Sequence, residues 1–423
     1  MRLAGLGLAL LLVLPAAAPA QEPPPDASDL VNVLLAGFLG FRDMTGPELQ
    51  KEVAELGGVP FRSDVPVEFM DRRELPRYLK ELVDSEYPAA RASADARTLA
   101  AFDLLTPGAD LREMRSRLLE ENVAGFYDER PGRKKLFAIS ADKHLTPANQ
   151  LVLAHEMRHA LQDQYMDVHR SLDDSVSDFD DRRMAFMSLL EGDATLLMER
   201  FLLRRLPAGE EGAEKAEDVD LSMLAPSIEG VPPVLRDQLV LPYTTGLEFT
   251  RFLFRSGGWA RVKQAWDRPP QSTEQVLHPE KYVAGERPLS VPIAYAPSGG
   301  HLLNQGVLGE MFLNTLLGDE TAPDAAEGWG GDAFRLFDLS GKTLLVWRCV
   351  WDTPDAAERF RPAILARFQQ KHGNGTPLGG FTVFGQGPWR FAVRAGAGGA
   401  LLVSSDDEAA LSAAVASLSR QGL

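Results

Sequence analysis

The sequence predicts an α+β protein: a mainly helical body with a small sheet or hairpin, followed by a small C-terminal α+β unit of β-α-β-β-α order. Three observations predict it. Apolar residues recur at helical spacing through most of the chain up to about 317. One hairpin signal interrupts them, Pro131-Gly132 between VAGFYDE and KLFAI. From about 333 the runs become strand-like, with TLLVWRCVW, WRFAVRAG and GALLVSS.

Taken in order, Met1 and Arg2 are followed by an apolar run from Leu3 to Leu14 and by PAAAPA ending at Ala20. A basic start, a short apolar stretch and small residues before Gln21 predict a cleaved signal peptide over 1–20, hence a secreted or periplasmic protein with no stable membrane span after cleavage. The alternative, an uncleaved anchor, needs about 20 apolar residues. A proline-rich leader over 21–29 precedes a short helix at 29–41. Helical spacing marks 47–57, 73–84, 91–104 and 109–121, with a short strand at 65–70. The hairpin spans 122–139. Thr146 and Pro147 then open a helix that runs to about Tyr165. An acidic loop (171–183) leads to a helix over 184–204 that is apolar on most faces and therefore buried. Residues 207–220 read as a surface segment, 245–256, 258–267 and 301–317 as helices, and 320–332 as loop. The C-terminal unit has strands at 343–351, 389–396 and 399–405, with helices at 355–369 and 406–419 on one sheet face. The domains on this reading are the signal peptide (1–20), an N-terminal mainly helical region (21–120), a central unit (121–332) and the C-terminal unit (333–423).

The 423 residues carry 44 basic and 60 acidic side chains, a net charge of −16. That balance repels phosphate backbones and argues against nucleic-acid binding. Cys349, the only cysteine, excludes an intrachain disulfide and a thiolate zinc site. Any metal site must draw on histidine and carboxylate.

His155-Glu156-Met157-Arg158-His159 supplies both in the pattern HExxH. Composition gives about 0.016 chance matches per chain of this kind. The pattern lies in a predicted helix, where residues i and i+4 share a face, so both imidazoles reach one ion. Glu156, next to the first ligand, is placed to act as general base on a metal-bound water. The alternative is two exposed histidines and no metal. Leu151, Val152, Leu153, Ala154, Ala160 and Leu161 surround the motif with apolar side chains and oppose that exposure.

A catalytic ion needs a third ligand. Glu191 lies mid-helix in the buried 184–204 segment, where no helical neighbour is cationic. It needs a charge partner from elsewhere: a zinc ion, a distant arginine, or a proton. Gly192 beside it lets another backbone approach closely.

HExxH followed by a downstream helical glutamate resembles the gluzincin zinc metallopeptidases. HEMRHALQDQY (155–165), LEGDA (190–194), PY (242–243), STEQVLHPEKY (272–282) and EGWGGD (327–332) are similar to secreted bacterial peptidase-MA-like proteins. The resemblance covers roughly 120–340. It implies a zincin-like catalytic domain, Zn2+ held by His155, His159 and Glu191, Glu156 as base, and a peptide or protein substrate laid along the edge of a sheet above the helix. A hairpin that only packs on the core is the alternative at 123–139. Gluzincins commonly place an aspartate four residues after the third ligand to orient a histidine. Here that position is Thr195, the nearest acid is Asp193, and Asp163, one turn beyond His159, is the candidate replacement.

Hydrolysis also needs a donor for the oxyanion. Tyr243 and His278 are the candidates, against a core tyrosine and a turn-ordering histidine. The leading reading is therefore a secreted zinc metallopeptidase. A non-catalytic extracytoplasmic binding protein on the same scaffold is the alternative, and Glu156, which a structural zinc does not need, speaks against it. A non-peptide substrate is compatible with the same residues.

Overall fold

A computed structural model of the chain describes residues 9–11, 41–42, 44–140, 145–173, 180–205, 230–318 and 324–421. The helix expected at 29–41, apart from Phe41, the 207–220 segment and the middle of the acidic loop (174–179) lie outside the described residues. The first helices are α1 (Gly46–Gly57), α2 (Leu75–Glu86), α3 (Ala89–Ala101) and α4 (Leu111–Asn122). Thr45 opens α1 with a reciprocal cap: its hydroxyl accepts from Glu48 N, and its own N–H donates to Glu48 Oε2 at 2.8 Å. A small sheet has the order β1-β3-β4-β2, from β1 (Ala9–Leu11), β2 (Val67–Met70), β3 (Val123–Asp128) and β4 (Lys135–Ile139). β3 and β4 form the antiparallel hairpin that the Pro131-Gly132 turn predicts, and β2 runs parallel to β4. β1 lies antiparallel along the outer edge of β3, and its residues belong to the segment read as signal peptide.

α5 (Pro147–Met166) starts at Thr146, whose hydroxyl accepts from Asn149 N, with Pro147 in the first turn. It packs on the hairpin, on α1 and on α7 (Asp181–Leu203), and that enclosure is why its apolar residues point all round. The short α6 (Val168–Asp173) links the two. α7 is buried almost from end to end. α8 (Pro233–Asp267) crosses it, beginning well before the expected 245 and breaking at Gly257-Gly258. At the crossing a Cβ on Gly246 would lie 2.2 Å from Ser188 O, so only glycine permits the approach. α9 (Thr273–Leu277), α10 (Pro279–Ala284) and α11 (Gly309–Leu317) complete the helical body. No helix among the described residues is long and apolar enough to cross a membrane.

The C-terminal sheet is antiparallel and seven-stranded, ordered β5-β6-β7-β11-β10-β9-β8. Its strands are β5 (His301–Gly306), β6 (Trp329–Leu339), β7 (Lys342–Trp351), β8 (Thr376–Leu378), β9 (Phe381–Phe384), β10 (Arg390–Gly396) and β11 (Gly399–Ser405), with α12 (Pro354–His372) and α13 (Glu408–Leu418). Here the structure corrects the sequence reading. Residues 301–306 are strand rather than helix. Residue 333 lies inside β6, and the unit begins at β5. The two helices cover opposite faces. Leu345, Trp347 and Cys349 pack with Phe360 and Ile364 of α12, whereas Leu344 and Val346 pack with Leu411 and Val415 of α13. Side chains alternate across a strand, so a run that is apolar at every position must be covered on both faces.

The expected boundary at 120 does not separate cores either. Phe102, just after α3, meets Phe334 and Trp347 edge-on at ring centroids of 5.5 and 6.3 Å. Arg97 of α3 donates to Asp338 Oδ1 at 2.7 Å, and Lys371 of α12 donates to Asp103 Oδ1 at 2.8 Å. One apolar cluster runs from Met70 and Leu79 through Phe312 to Trp347 and Phe360.

Candidate metal centre

Helical spacing brings His155 and His159 to one face of α5, and α7 passes beside that face with Glu191 directed at it. The three side chains are almost completely buried. His155 Nε2 and His159 Nε2 stand 2.9 Å apart, and Glu191 Oε2 lies 3.1 and 3.2 Å from them. The described residues that could hold a metal include this group. A tetrahedral ion with ligand bonds of roughly 2.0–2.1 Å spaces its ligand atoms roughly 3.3 Å apart, so the convergence fits one ion with little adjustment. Glu191 Oε1 is buried without a hydrogen-bond partner among the described residues, which leaves it available to such a cation.

The proton on His159 is fixed by its neighbours. His159 Nδ1 is 2.8 Å from Gln162 Oε1. The amide nitrogen of Gln162 donates to Leu190 O at 3.0 Å and to Asp193 Oδ2 at 2.8 Å, so Oε1 can only be an acceptor. His159 must then donate from Nδ1, and its Nε2 lone pair faces the centre. Asp193 acts through Gln162 rather than on a histidine directly. It is itself held by Arg158 through Nε and Nη2 and by Trp266 Nε1 at 3.0 Å. Arg158 is sandwiched between Trp259 and Trp266, 4.8 and 4.7 Å from their ring centres. Asp163 does not play the part expected of it. It accepts from Tyr127 OH and Lys134 Nζ, both at 2.8 Å, and from Val168 N at 3.0 Å. Four residues beyond His159 the helix faces the hairpin, whereas three residues beyond it lies over the imidazole. His155 Nδ1 has no hydrogen-bond partner among the described residues.

Burial pushes the His155 pKa down. At His159 burial acts the same way, but the Glu191 carboxylate outweighs it and raises the pKa. Burial opposes charge on Glu191 too, and the imidazoles outweigh it and hold the carboxyl well below the usual range. An ionised carboxylate facing two crowded imidazoles is a place for positive charge. The Tyr243 ring stacks on the His155 ring, 5.9 Å away at 21°. Burial, then Glu191, pushes that phenol well above its ordinary range, so it remains a donor.

Glu156 points between α5 and the hairpin, where Tyr127 N donates to its Oε2 at 2.9 Å. The β3 backbone thus aims this carboxylate.

His278 is not brought to the centre. Its Nε2 is 2.9 Å from Glu310 Oε1 at the start of α11. The adjoining α9 is tied through Thr273 to Asp181, about 15 Å along α7 from Glu191. A second acidic group, Glu274, Glu286 and Asp352, encloses the Lys281 ammonium at 2.7, 2.8 and 2.5 Å, and that charge satisfies it.

Residues 300–418 match the family described as "Domain of unknown function (DUF8575)". The match starts one residue before β5 and ends with α13, so it coincides with the seven-stranded unit and excludes α5 and α7. No curated protein and no solved structure matches the chain. Gln162, Arg158, Tyr127 and Trp266 were not singled out from sequence. Gln162 had a signal: its i+3 spacing from His159 on a helix.

Proposed function

We propose that this chain is an exported zinc-dependent hydrolase that cleaves peptide bonds, with the helical body acting as a zincin-like catalytic domain. The observation that supports this most is the buried convergence of His155 Nε2, His159 Nε2 and Glu191 Oε2 within 3.2 Å, with the His159 tautomer fixed by Gln162. Zinc bound there would polarise a carbonyl and lower the pKa of a water. Glu156, which accepts from Tyr127 N, would take a proton from that water and return it to the leaving amine. Tyr243, whose ring stacks on His155, would be the donor that steadies the oxyanion.

The β3 edge would receive an extended substrate by main-chain pairing. Ala9–Leu11 lies along that edge, antiparallel. Those residues belong to the expected signal peptide, and its removal would vacate the edge. The seven-stranded unit serves as an accessory domain that shares the core of the helical body.

The test is metal analysis and peptide-library digestion by mature protein and Glu156→Gln. About one zinc per chain in both, with cleavage only by wild type and lost by ~10²-fold or more in the variant, is the expected result. Absence of metal after zinc-supplemented purification would overturn the reading. Zinc without cleavage in wild type would favour the binding scaffold.

A further inference from the structure

At the N-terminal end of α7, ten residues before Glu191, lies a cavity of about 1300 Å³ that the reaction does not use. It runs into a second of about 540 Å³ that shares Asp180, Arg182, Asp267 and Pro269. Four arginines line the larger one: Arg182, Arg261, Arg268 and Arg287. Among the described residues none of them has a carboxylate partner, and Arg261 reaches only the amide of Gln264 at 2.9 Å.

The acids in the same wall are otherwise engaged. Asp181 Oδ1 accepts from Thr273 N at 2.9 Å and from its hydroxyl at 2.5 Å. Asp332 accepts from Leu308 N, Gly309 N and Trp329 Nε1 at 2.7, 2.8 and 2.9 Å. Asp267 holds Lys263 at 3.0 Å. Burial raises the pKa of Asp180, Asp181 and Asp332, Asp181 well above the usual carboxylate range and Asp332 to about 6. Guanidinium groups keep theirs at any working pH. The cleft therefore presents four arginines that have no salt-bridge partner among the described residues, on a chain of net charge −16.

We infer that this cleft is a binding site for an acidic peptide segment, with Arg182, Arg261, Arg268 and Arg287 pairing its carboxylates. Its volume exceeds the roughly 300–1,000 Å³ of ordinary small-ligand pockets. Leu289, 55 % exposed, and the half-buried Tyr282 line the same cleft and offer apolar contact to a chain rather than to a lone ion. A nucleic acid would meet the rest of this acidic surface and be repelled. The inference does not depend on the zinc reading.

The experiment is fluorescence anisotropy of labelled hexaglutamate with the full chain, compared with Arg182→Gln/Arg268→Gln/Arg287→Gln. Those side chains are exposed, so unchanged circular dichroism and melting are expected. Saturable binding that weakens about tenfold or more in the triple variant and with added salt supports the site. Absence of saturable binding, or equal binding by the variant, overturns it. Full displacement by inorganic phosphate at equal charge would show a small-anion site, and tighter binding of oligothymidylate a nucleic-acid site, and either overturns the peptide assignment.

Discussion

Gly192 and Gly246 meet where α7 crosses α8, so closely that a Cβ on Gly192 would lie 2.0 Å from the Gly246 carbonyl oxygen. The contact is backbone to backbone. One residue before Gly192 is Glu191, and one turn before Gly246 is Tyr243, so this crossing sets the distance between the carboxylate and the phenol.

Gly192→Ala should therefore act on both stability and site. No side chain can move aside for the new methyl group, and the helices must separate. A loss on the order of 3 kcal/mol is expected, read as a drop in the denaturation midpoint, with weaker zinc binding in the fraction that folds. An unchanged midpoint would mean that the helices are not held at this spacing.

Gln162→Leu removes the acceptor that keeps the His159 proton on Nδ1 and strips a donor from Asp193. Zinc affinity should fall roughly 10- to 100-fold, measured by competition with a chelating dye. Gln162→Glu keeps an acceptor at the same place and should restore part of it. Equal affinity in all three proteins would remove Gln162 from the orienting role.

Glu129 is fully buried just after β3, with both carboxylate oxygens lacking hydrogen-bond partners among the described residues and with Asp128, Asp163 and Glu86 nearby. Burial, reinforced by those acids, raises its pKa from 4.5 to about 8. The folded state thus holds a proton that the unfolded state releases near 4.5. Its effect on stability is flat below that value, falls as pH rises from 4.5 to 8, and is flat again above. Glu129→Gln should abolish this slope and stabilise the protein at pH 8 by roughly 2–4 kcal/mol. Parallel pH–stability curves for the two proteins would show that Glu129 ionises freely in the fold.

Truncation after residue 332 cuts β6 and exposes the face of the core formed by Phe334, Trp347 and Phe360. The fragment 21–332 should be insoluble or lack a cooperative unfolding transition. A folded, zinc-binding fragment would instead establish two independent domains.

Much of the site was legible because it is local. Thr146 and Pro147 fix where α5 begins, and the i, i+4 spacing of His155 and His159 then follows from helix geometry. The buried character of α7 was readable in its composition, and with it the oddity of Glu191. The seven-stranded sheet was read short for identifiable reasons. HLLNQG runs on into the amphipathic segment of α11 and carries no β-branched residue, so its strand depends on pairing with β6. WGGD reads as loop, yet its glycines serve a bulged strand: the register shifts between Trp329 and Gly331, and a Cβ on Gly331 would lie 2.4 Å from Leu289 O. The cover on both sheet faces was signalled by the continuous apolar runs of β7 and β11, a pattern that excludes an open face.

By itself the sequence determined the elements whose signals lie within one or two turns: the capped helix, the two histidines and the glutamate between them, the hairpin and the apolar α7. Only the tertiary structure decided which side chains from distant segments complete the centre. Gln162 rather than Asp163 bonds His159, Asp193 closes a net of Arg158, Gln162 and Trp266, and His278 turns to Glu310. The physical reason is that periodicity and capping depend on neighbours along the chain, whereas a partner for a buried polar group is chosen by which helix face arrives opposite it. That choice is made by packing, at crossings such as Gly192 on Gly246.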